Sequence, residues 1–370
     1  MKYFDNFSSN TYAGSANQLF FEMNENEICT GRIFYKISVG GEYNYSILFS
    51  NIIDSTFDDG RISHKNLICD EWIIHSAKIV RCKKWNDKKP LEQLVMDSDI
   101  VVSDFKEIHF EGKMSKVVMP GEFFMSDPVK FLFDAGDYLC LELSFSGKMI
   151  PYHEQTLLPV YIKKKDVWEY SKHMPFAGMI GCDRKVKSRV AYWGDSITQG
   201  CGTAHNSYLH WNAILSEKLG SQYSYWNLGV GFGRASDAAS GGAWLYKATQ
   251  NDIVFVCYGV NDLLQGQSEE QIKADLTYIT NTLKKIGKKV ILQTIPPFDY
   301  EGENVEKWKN INYYILTELK NIVDLVFDNT QILGKKETPQ CAMYGGHPNE
   351  EGCAVWAKCL YEKILESKVL

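Results

Sequence analysis

Ser196 is the residue of this chain whose type and position suit a nucleophile. It lies in the run Gly-Asp-Ser-Ile-Thr-Gln-Gly (194–200), directly after the apolar residues 190–193. The apolar run predicts a strand, which places Ser196 on the turn at the strand's carboxyl end, where open α/β sheets bind ligands. A serine hydroxyl attacks efficiently only when a base accepts its proton, so a partner base is required.

His347 is the candidate base, because an imidazole titrates near neutral pH. The tripeptide His-Pro-Asn (347–349) precedes the last predicted helix, and Asn349 is a natural N-cap residue for that helix. On its own, this tripeptide is equally compatible with a loop histidine that has no chemical role.

Asn261 is the candidate side-chain donor for an oxyanion. It lies in Gly-Val-Asn-Asp (259–262), which follows the apolar run 253–258. Acyl transfer needs N–H groups aimed at the developing negative charge, and a side-chain amide supplies one. An asparagine after a strand also commonly caps a loop, so the structural alternative stays open.

In this order the three segments resemble the signature of the SGNH (GDSL) hydrolases, a family of esterases and deacetylases. The resemblance covers about residues 187–366. It implies that Ser196 attacks an acyl carbonyl, that His347 moves the proton, and that neither a metal nor another cofactor is needed. It also implies an oxyanion hole made of the Ser196 N–H, a turn N–H and Asn261, while Asp195 is expected to brace the nucleophile turn.

The turn that would donate the second N–H departs from the family pattern. The family usually has a glycine five residues after the asparagine that is Asn227 here, and that position holds Phe232. Either Phe232 supplies the N–H, or a one-residue shift brings Gly231 or Gly233 into place. We favour Gly233.

The residue that would orient the histidine also departs from the pattern. Many family members have an acid three residues before the histidine, where this chain has Tyr344. We therefore expect a Ser196–His347 dyad in which a main-chain carbonyl of residues 342–345 holds the imidazole. Asp328, near the end of the last predicted strand, is the alternative acid.

The C-terminal half alternates predicted strands with predicted helices. This pattern indicates a parallel five-stranded sheet covered by helices on both faces. The family resemblance implies that it is a flavodoxin-like three-layer α/β domain over residues 187–370. The strands are predicted at 188–193, 224–229, 252–258, 288–294 and 323–328, and the helices at 207–219, 237–249, 268–286, 304–322 and 350–366.

The N-terminal half reads as short strands. Apolar and polar residues alternate over 33–39 and again over 43–49, with Gly40-Gly41 between, which predicts a hairpin. Residues 1–150 are therefore expected to form an antiparallel, jelly-roll-like β-sandwich, and 151–186 a connecting segment. This arrangement resembles two-domain bacterial carbohydrate esterases.

Composition excludes several classes of protein. The 370 residues are 45% hydrophobic and 23% charged, which is ordinary for a soluble protein of two domains. A net charge of −6 argues against nucleic-acid binding, and no apolar run is long enough to span a membrane.

The first residues lack the apolar core of a secretory signal, so we expect a cytoplasmic protein. The ten cysteines contain no CxxC pair, which predicts reduced thiols rather than a zinc site.

The expected activity is that of a serine esterase. The resemblance favours removal of acetyl or another short acyl group from a small-molecule or oligosaccharide ester. A lipase or thioesterase acting on longer chains would use the same residues. A carbohydrate-binding protein on a hydrolase scaffold that has lost catalysis is the alternative from another class. The sequence does not indicate the oligomeric state.

Overall fold

The computed structural model of the protein describes residues 2–24, 27–58, 62–82, 102–333 and 346–370. The chain divides into two units. The first contains Met1–Ile53 and Asn66–Lys185, and the second contains Asp54–Lys65 and Val186–Leu370.

The first unit consists mainly of antiparallel strands in two larger sheets. Its elements are α1 (Tyr3–Asn6), β1 (Ser8–Ser9), β2 (Leu19–Glu22), β3 (Cys29–Lys36), β4 (Gly41–Ser50), β7 (Trp72–Cys82), β8 (Val102–Glu107), β9 (Lys116–Val118), β10 (Phe123–Met125), β11 (Val129–Phe133), β12 (Tyr138–Gly147), β13 (Met149–Tyr152), β14 (Val160–Lys164), β15 (Val167–Tyr170) and β16 (Met179–Cys182). Between β4 and β7 lie β5 (Ile52–Asp58) and β6 (Ile62–Ile68), whose residues Asp54–Lys65 belong to the second unit. One sheet has the order β1-β16-β4-β10, with β11 also paired to β4, and the other has the order β15-β14-β3-β12-β7-β8, with β9 also paired to β7.

The alternating residues of these strands form the core of a β-sandwich. In β12, Leu139, Leu141 and Leu143 are completely buried, and in β4 the same holds for Ile47. Because successive side chains of a strand point to opposite faces, this spacing places the three leucines on one face. The antiparallel sandwich predicted for the N-terminal half is confirmed.

The hairpin predicted at Gly40-Gly41 is wrong. β3 pairs with β12 and β14, whereas β4 pairs with β10, β11 and β16, so the chain passes from one sheet to the other between them. Alternation of apolar residues shows that a strand has one buried face, but it does not identify the neighbouring strand.

The second unit consists of strands and helices that alternate along the chain. From residue 186 onward its elements are β17 (Ser188–Gly194), α2 (Ser196–Gln199), α3 (Trp211–Leu219), β18 (Tyr223–Asn227), α4 (Ala235–Ala239), α5 (Ala243–Thr249), β19 (Ile253–Cys257), α6 (Val260–Leu264), α7 (Glu269–Lys285), β20 (Lys289–Gln293), α8 (Glu303–Thr317), β21 (Leu325–Phe327) and α9 (Glu350–Ser367). The strands form a parallel sheet with the order β18-β17-β19-β20-β21. In chain order this is 2-1-3-4-5, the flavodoxin-like arrangement, and its switch point lies between β17 and β19. Helix α3 packs on α9, and α7 packs on α4 and α8.

The α/β fold predicted for this half is confirmed, with one helix divided. The helix predicted at 237–249 is two helices, α4 and α5, because Gly241 and Gly242 have φ values of +81° and +84°. A right-handed helix cannot continue through residues in the left-handed region. Helix α7 begins as expected, with the Ser268 hydroxyl accepting a hydrogen bond from Gln271 N at 3.2 Å.

Candidate active site

Ser196 is the first residue of α2, on the turn that follows β17. Asp195 caps this short helix, and its carboxylate accepts a hydrogen bond from Ile197 N at 3.0 Å. The Ser196 side chain lies at the carboxyl end of the sheet, beside the switch point between β17 and β19. This is the place where open α/β sheets bind ligands.

Ser196 and His347 meet although 151 residues separate them in sequence. The distance from Ser196 Oγ to His347 Nε2 is 2.7 Å, and the two residues are only 8% and 4% exposed. This is a short hydrogen bond between a hydroxyl and an imidazole, and it gives the proton a direct path from one to the other.

The His347 ring is held by its surroundings. The Phe298 ring packs edge-on against it, with ring centroids 5.2 Å apart. Asn349 caps α9 by accepting a hydrogen bond from Gly352 N at 2.9 Å, which fixes the backbone just after the histidine. Gly202, with a φ of +98°, approaches so closely that a β-carbon there would lie 3.0 Å from the β-carbon of His347.

The residues expected to orient the imidazole are in part outside the described structure. Tyr344 and the carbonyls of 342–345 lie there, so the main-chain interaction remains a prediction. The Asp328 carboxylate accepts hydrogen bonds from Thr330 N at 3.0 Å, Thr330 Oγ1 at 2.6 Å and Thr294 Oγ1 at 3.3 Å. It thereby caps the short 3-10 turn Asn329–Gln331.

Asn261 lies in the first turn of α6, directly after β19, and is 7% exposed. Its Nδ2 donates a hydrogen bond to the Gly233 carbonyl at 3.0 Å, which leaves the second amide hydrogen for another acceptor. The Gly233 N–H itself donates to the Val230 carbonyl at 3.1 Å. Gly233 therefore contacts the candidate site through its carbonyl oxygen, while its N–H closes a turn.

The backbone N–H groups of Ser196 and Phe232 have no hydrogen-bond partner among the described residues. Phe232 has a φ of +61°, in the left-handed region that favours glycine. It stands where the family resemblance calls for a glycine.

Asp262 holds the same loop, a role that its sequence context did not predict. Its carboxylate accepts hydrogen bonds from Ala235 N at 2.9 Å and Ser236 N at 3.3 Å, at the start of α4. Asn261 and Asp262 together anchor the loop on both sides of residue 234. The position of Asp262 directly after Asn261, in Gly-Val-Asn-Asp, is the sequence signal that could have indicated this role.

A pair of asparagines holds α2 in place. Asn227 donates to the Gln199 carbonyl at 3.3 Å and to Asn212 Oδ1 at 3.3 Å, and its own Oδ1 accepts from Gly229 N at 2.9 Å. Asn212 in turn donates to the Thr198 carbonyl. These bonds satisfy carbonyl groups at the end of α2 and connect the nucleophile turn to the 229–236 loop.

Two buried carboxyl groups adjoin the candidate site residues in sequence, Asp195 beside Ser196 and Asp262 beside Asn261. Burial, together with a smaller effect of the nearby Asp262 charge, raises the pKa of Asp195 to about 7 against the opposing effect of the Ile197 N–H. Burial likewise raises the pKa of Asp262 to about 7, against the opposing effect of the Ala235 and Ser236 N–H groups. Desolvation disfavours the charged form, and it is the largest cause in both.

Among the described residues, no group of three or more histidine, cysteine, aspartate and glutamate side chains could hold a metal ion. In the same part of the chain, no helix combines the length and the apolar character needed to cross a membrane.

The raised pKa values predict that the free energy of unfolding falls as pH rises. Between about pH 4 and pH 7 the folded protein keeps protons on Asp195 and Asp262 that the unfolded chain has released, so the free energy of unfolding decreases with pH across this window. Asp195→Asn removes one of these groups and should make the decrease smaller. Urea unfolding of both proteins at pH 5, 6, 7 and 8 measures it, and an equally steep decrease in the variant would contradict the prediction.

Comparison with curated proteins found no match for this chain. The chain is similar to several solved structures. One is the psychrotrophic esterase EstA from Pseudoalteromonas sp., with 18% identity over 48% of this chain and 97% of that one, and a TM-score of 0.40. Another is a G-D-S-L family lipolytic protein from Veillonella parvula, with 19% identity over 48% and 96%, and a TM-score of 0.38.

A family two carbohydrate esterase from Clostridium thermocellum, solved in complex with cellohexaose, is similar over 96% of this chain and 99% of its own. The identity is 10% and the TM-score is 0.43.

The model of the GDSL-like lipase/acylhydrolase family matches residues 192–355. The matched range contains Ser196, Asn261 and His347. The similarity of this chain to the GDSL-like lipase/acylhydrolase family therefore lies in the second unit and covers all three residues.

Proposed function

We propose that this protein is a serine esterase that removes acetyl or another short acyl group from a carbohydrate ester. The observation that carries the esterase part is the buried 2.7 Å hydrogen bond between Ser196 Oγ and His347 Nε2. The carbohydrate part rests on the resemblance of the two-domain sequence to bacterial carbohydrate esterases, which is an argument from family alone.

The proposed reaction proceeds in two steps. Ser196 Oγ attacks the acyl carbonyl while His347 Nε2 takes its proton. His347 then gives this proton to the departing alcohol as the ester C–O bond breaks, which leaves an acyl group on Ser196. Water attacks this acyl group, gives its proton to His347, and the acid departs as Ser196 regains the proton.

Three N–H groups are proposed to stabilise the oxyanion: Ser196 N, Phe232 N and Asn261 Nδ2. The first two have no partner among the described residues, and the third retains one hydrogen. Gly233, the residue favoured from the sequence, acts in this proposal through the carbonyl that orients Asn261. One such donor typically contributes about 10²–10³-fold to turnover.

Labelling with a fluorophosphonate tests the nucleophile. The wild-type protein should be labelled on Ser196, and Ser196→Ala should abolish labelling and lower kcat by about 10⁴-fold or more on a p-nitrophenyl ester. Ser188→Ala is the matched control, because Ser188 lies at the opposite end of β17, and it should keep both properties. An unlabelled wild-type protein would instead favour the non-catalytic carbohydrate-binding protein.

The dyad is tested by comparing Asp328→Asn with His347→Ala. Because the Asp328 carboxylate is bonded to Thr294 and Thr330, its substitution should lower kcat far less than loss of His347. Steady-state kinetics of both variants on the same ester, with thermal melting to check folding, measure the difference. Equal losses of kcat in folded proteins would show that Asp328 belongs to a catalytic triad.

A series of p-nitrophenyl esters of increasing acyl length tests the substrate class. The expected kcat/KM is highest for acetate and falls with each added pair of methylenes, since a pocket that fits a short acyl group excludes longer ones. An optimum beyond about eight carbons would favour the lipase or thioesterase alternative. Release of acetate from acetylated oligosaccharides then tests the carbohydrate part of the proposal.

A further inference from the structure

Asp237 is a buried carboxylate in α4 that receives hydrogen bonds from two separate parts of the second unit. Its side chain is fully buried. Arg234 donates to it from Nε at 2.9 Å and from Nη2 at 2.6 Å, which makes a bidentate ion pair. Ser55 Oγ, from β5, donates to Asp237 Oδ2 at 2.6 Å. A bidentate, charge-assisted pair fixes the orientation of the guanidinium relative to the carboxylate as well as the distance between them.

Arg234 immediately follows Gly233 and is the N-cap residue of α4. Its guanidinium also donates from Nη1 to Gln265 Oε1 at 3.1 Å. The Gly233 carbonyl, one residue away, is the acceptor that orients Asn261 Nδ2. A displacement of the Arg234 side chain therefore moves the peptide unit that positions the candidate oxyanion donor.

The position of Ser55 is itself fixed by its neighbour. Asp54 Oδ2 lies 2.5 Å from Lys247 Nζ of α5, and both side chains are fully buried. The net stabilisation from a buried ion pair is small or negative because both charges lose their hydration. Breaking such a pair is costly, however, so the pair holds residues 54 and 55 at a defined place against α4 and α5.

We propose that Ser55 is a positioning residue for the oxyanion loop, acting through Asp237 and Arg234 on the Gly233 carbonyl and so on Asn261. This inference rests on the proposed esterase function and adds to it a residue from the N-terminal half of the sequence. Ser55 does not touch the substrate. Its hydrogen bond restricts the motion of the loop, so that the N–H donors stay aligned with the oxyanion when the transition state forms.

The test is the kinetics of Ser55→Ala. We expect kcat to fall by about 3–10-fold with KM within about 2-fold of the wild type, because donors aimed at the oxyanion matter most in the transition state. Ser55→Thr keeps the hydroxyl and should restore kcat. Asp237→Asn keeps the size of the side chain but weakens the arginine pair, and should lower kcat further.

Thr280→Val is the matched control, since it removes a buried hydroxyl of the same unit that is bonded to carbonyls of its own helix. It should lower the melting temperature without lowering kcat. A Ser55→Ala protein with unchanged kcat, or a kcat that falls equally in Ser55→Ala and Thr280→Val, would overturn the inference while the esterase function stands. An inactive and unlabelled wild-type protein would overturn both.

Discussion

The hydrogen bond between Ser196 and His347 is the interaction on which the rest of the candidate site depends. A proton passes directly between an oxygen and a nitrogen only when they lie within hydrogen-bonding distance, and here that distance is 2.7 Å. Ser196 follows β17 at the carboxyl end of the sheet, and His347 lies just before α9. The backbone of Gly202 lies close to His347 and Pro348, so the segments that follow Ser196 and contain His347 are packed together there.

The loop 229–236 is constrained by a different rule, that buried polar groups need partners. Asn261 binds the Gly233 carbonyl, and Asp262 binds two N–H groups at the start of α4. An unpaired buried group costs about 1–3 kcal/mol, so each bond also excludes competing loop conformations. The raised pKa values of Asp195 and Asp262 are a consequence, because the carboxyl groups that brace the site are removed from water.

The sequence predicted the elements of the second unit well because each carries local signals. The apolar stripe and the Ser268 cap of α7 are examples. It also suggested that Ser196 and His347 meet, through the family pattern. Contacts between distant segments carry no local sequence signal, so the sequence did not predict them. The assumed β3–β4 hairpin was wrong, and nothing in the sequence indicated that Asp54 pairs with Lys247 across 193 positions.

At Phe232 the residue type departs from the family motif, although the backbone conformation is one that favours glycine. A motif that is compared only by residue type misses this. Phe232 adopts the left-handed region, which favours glycine, at a cost of roughly 1–2 kcal/mol. The cost is tolerable because neighbouring bonds to Gly233 and Ala235 determine the loop. An oxyanion donor is an N–H group, and every residue except proline has one. A phenylalanine at this position therefore still has the N–H group that the proposed oxyanion hole requires.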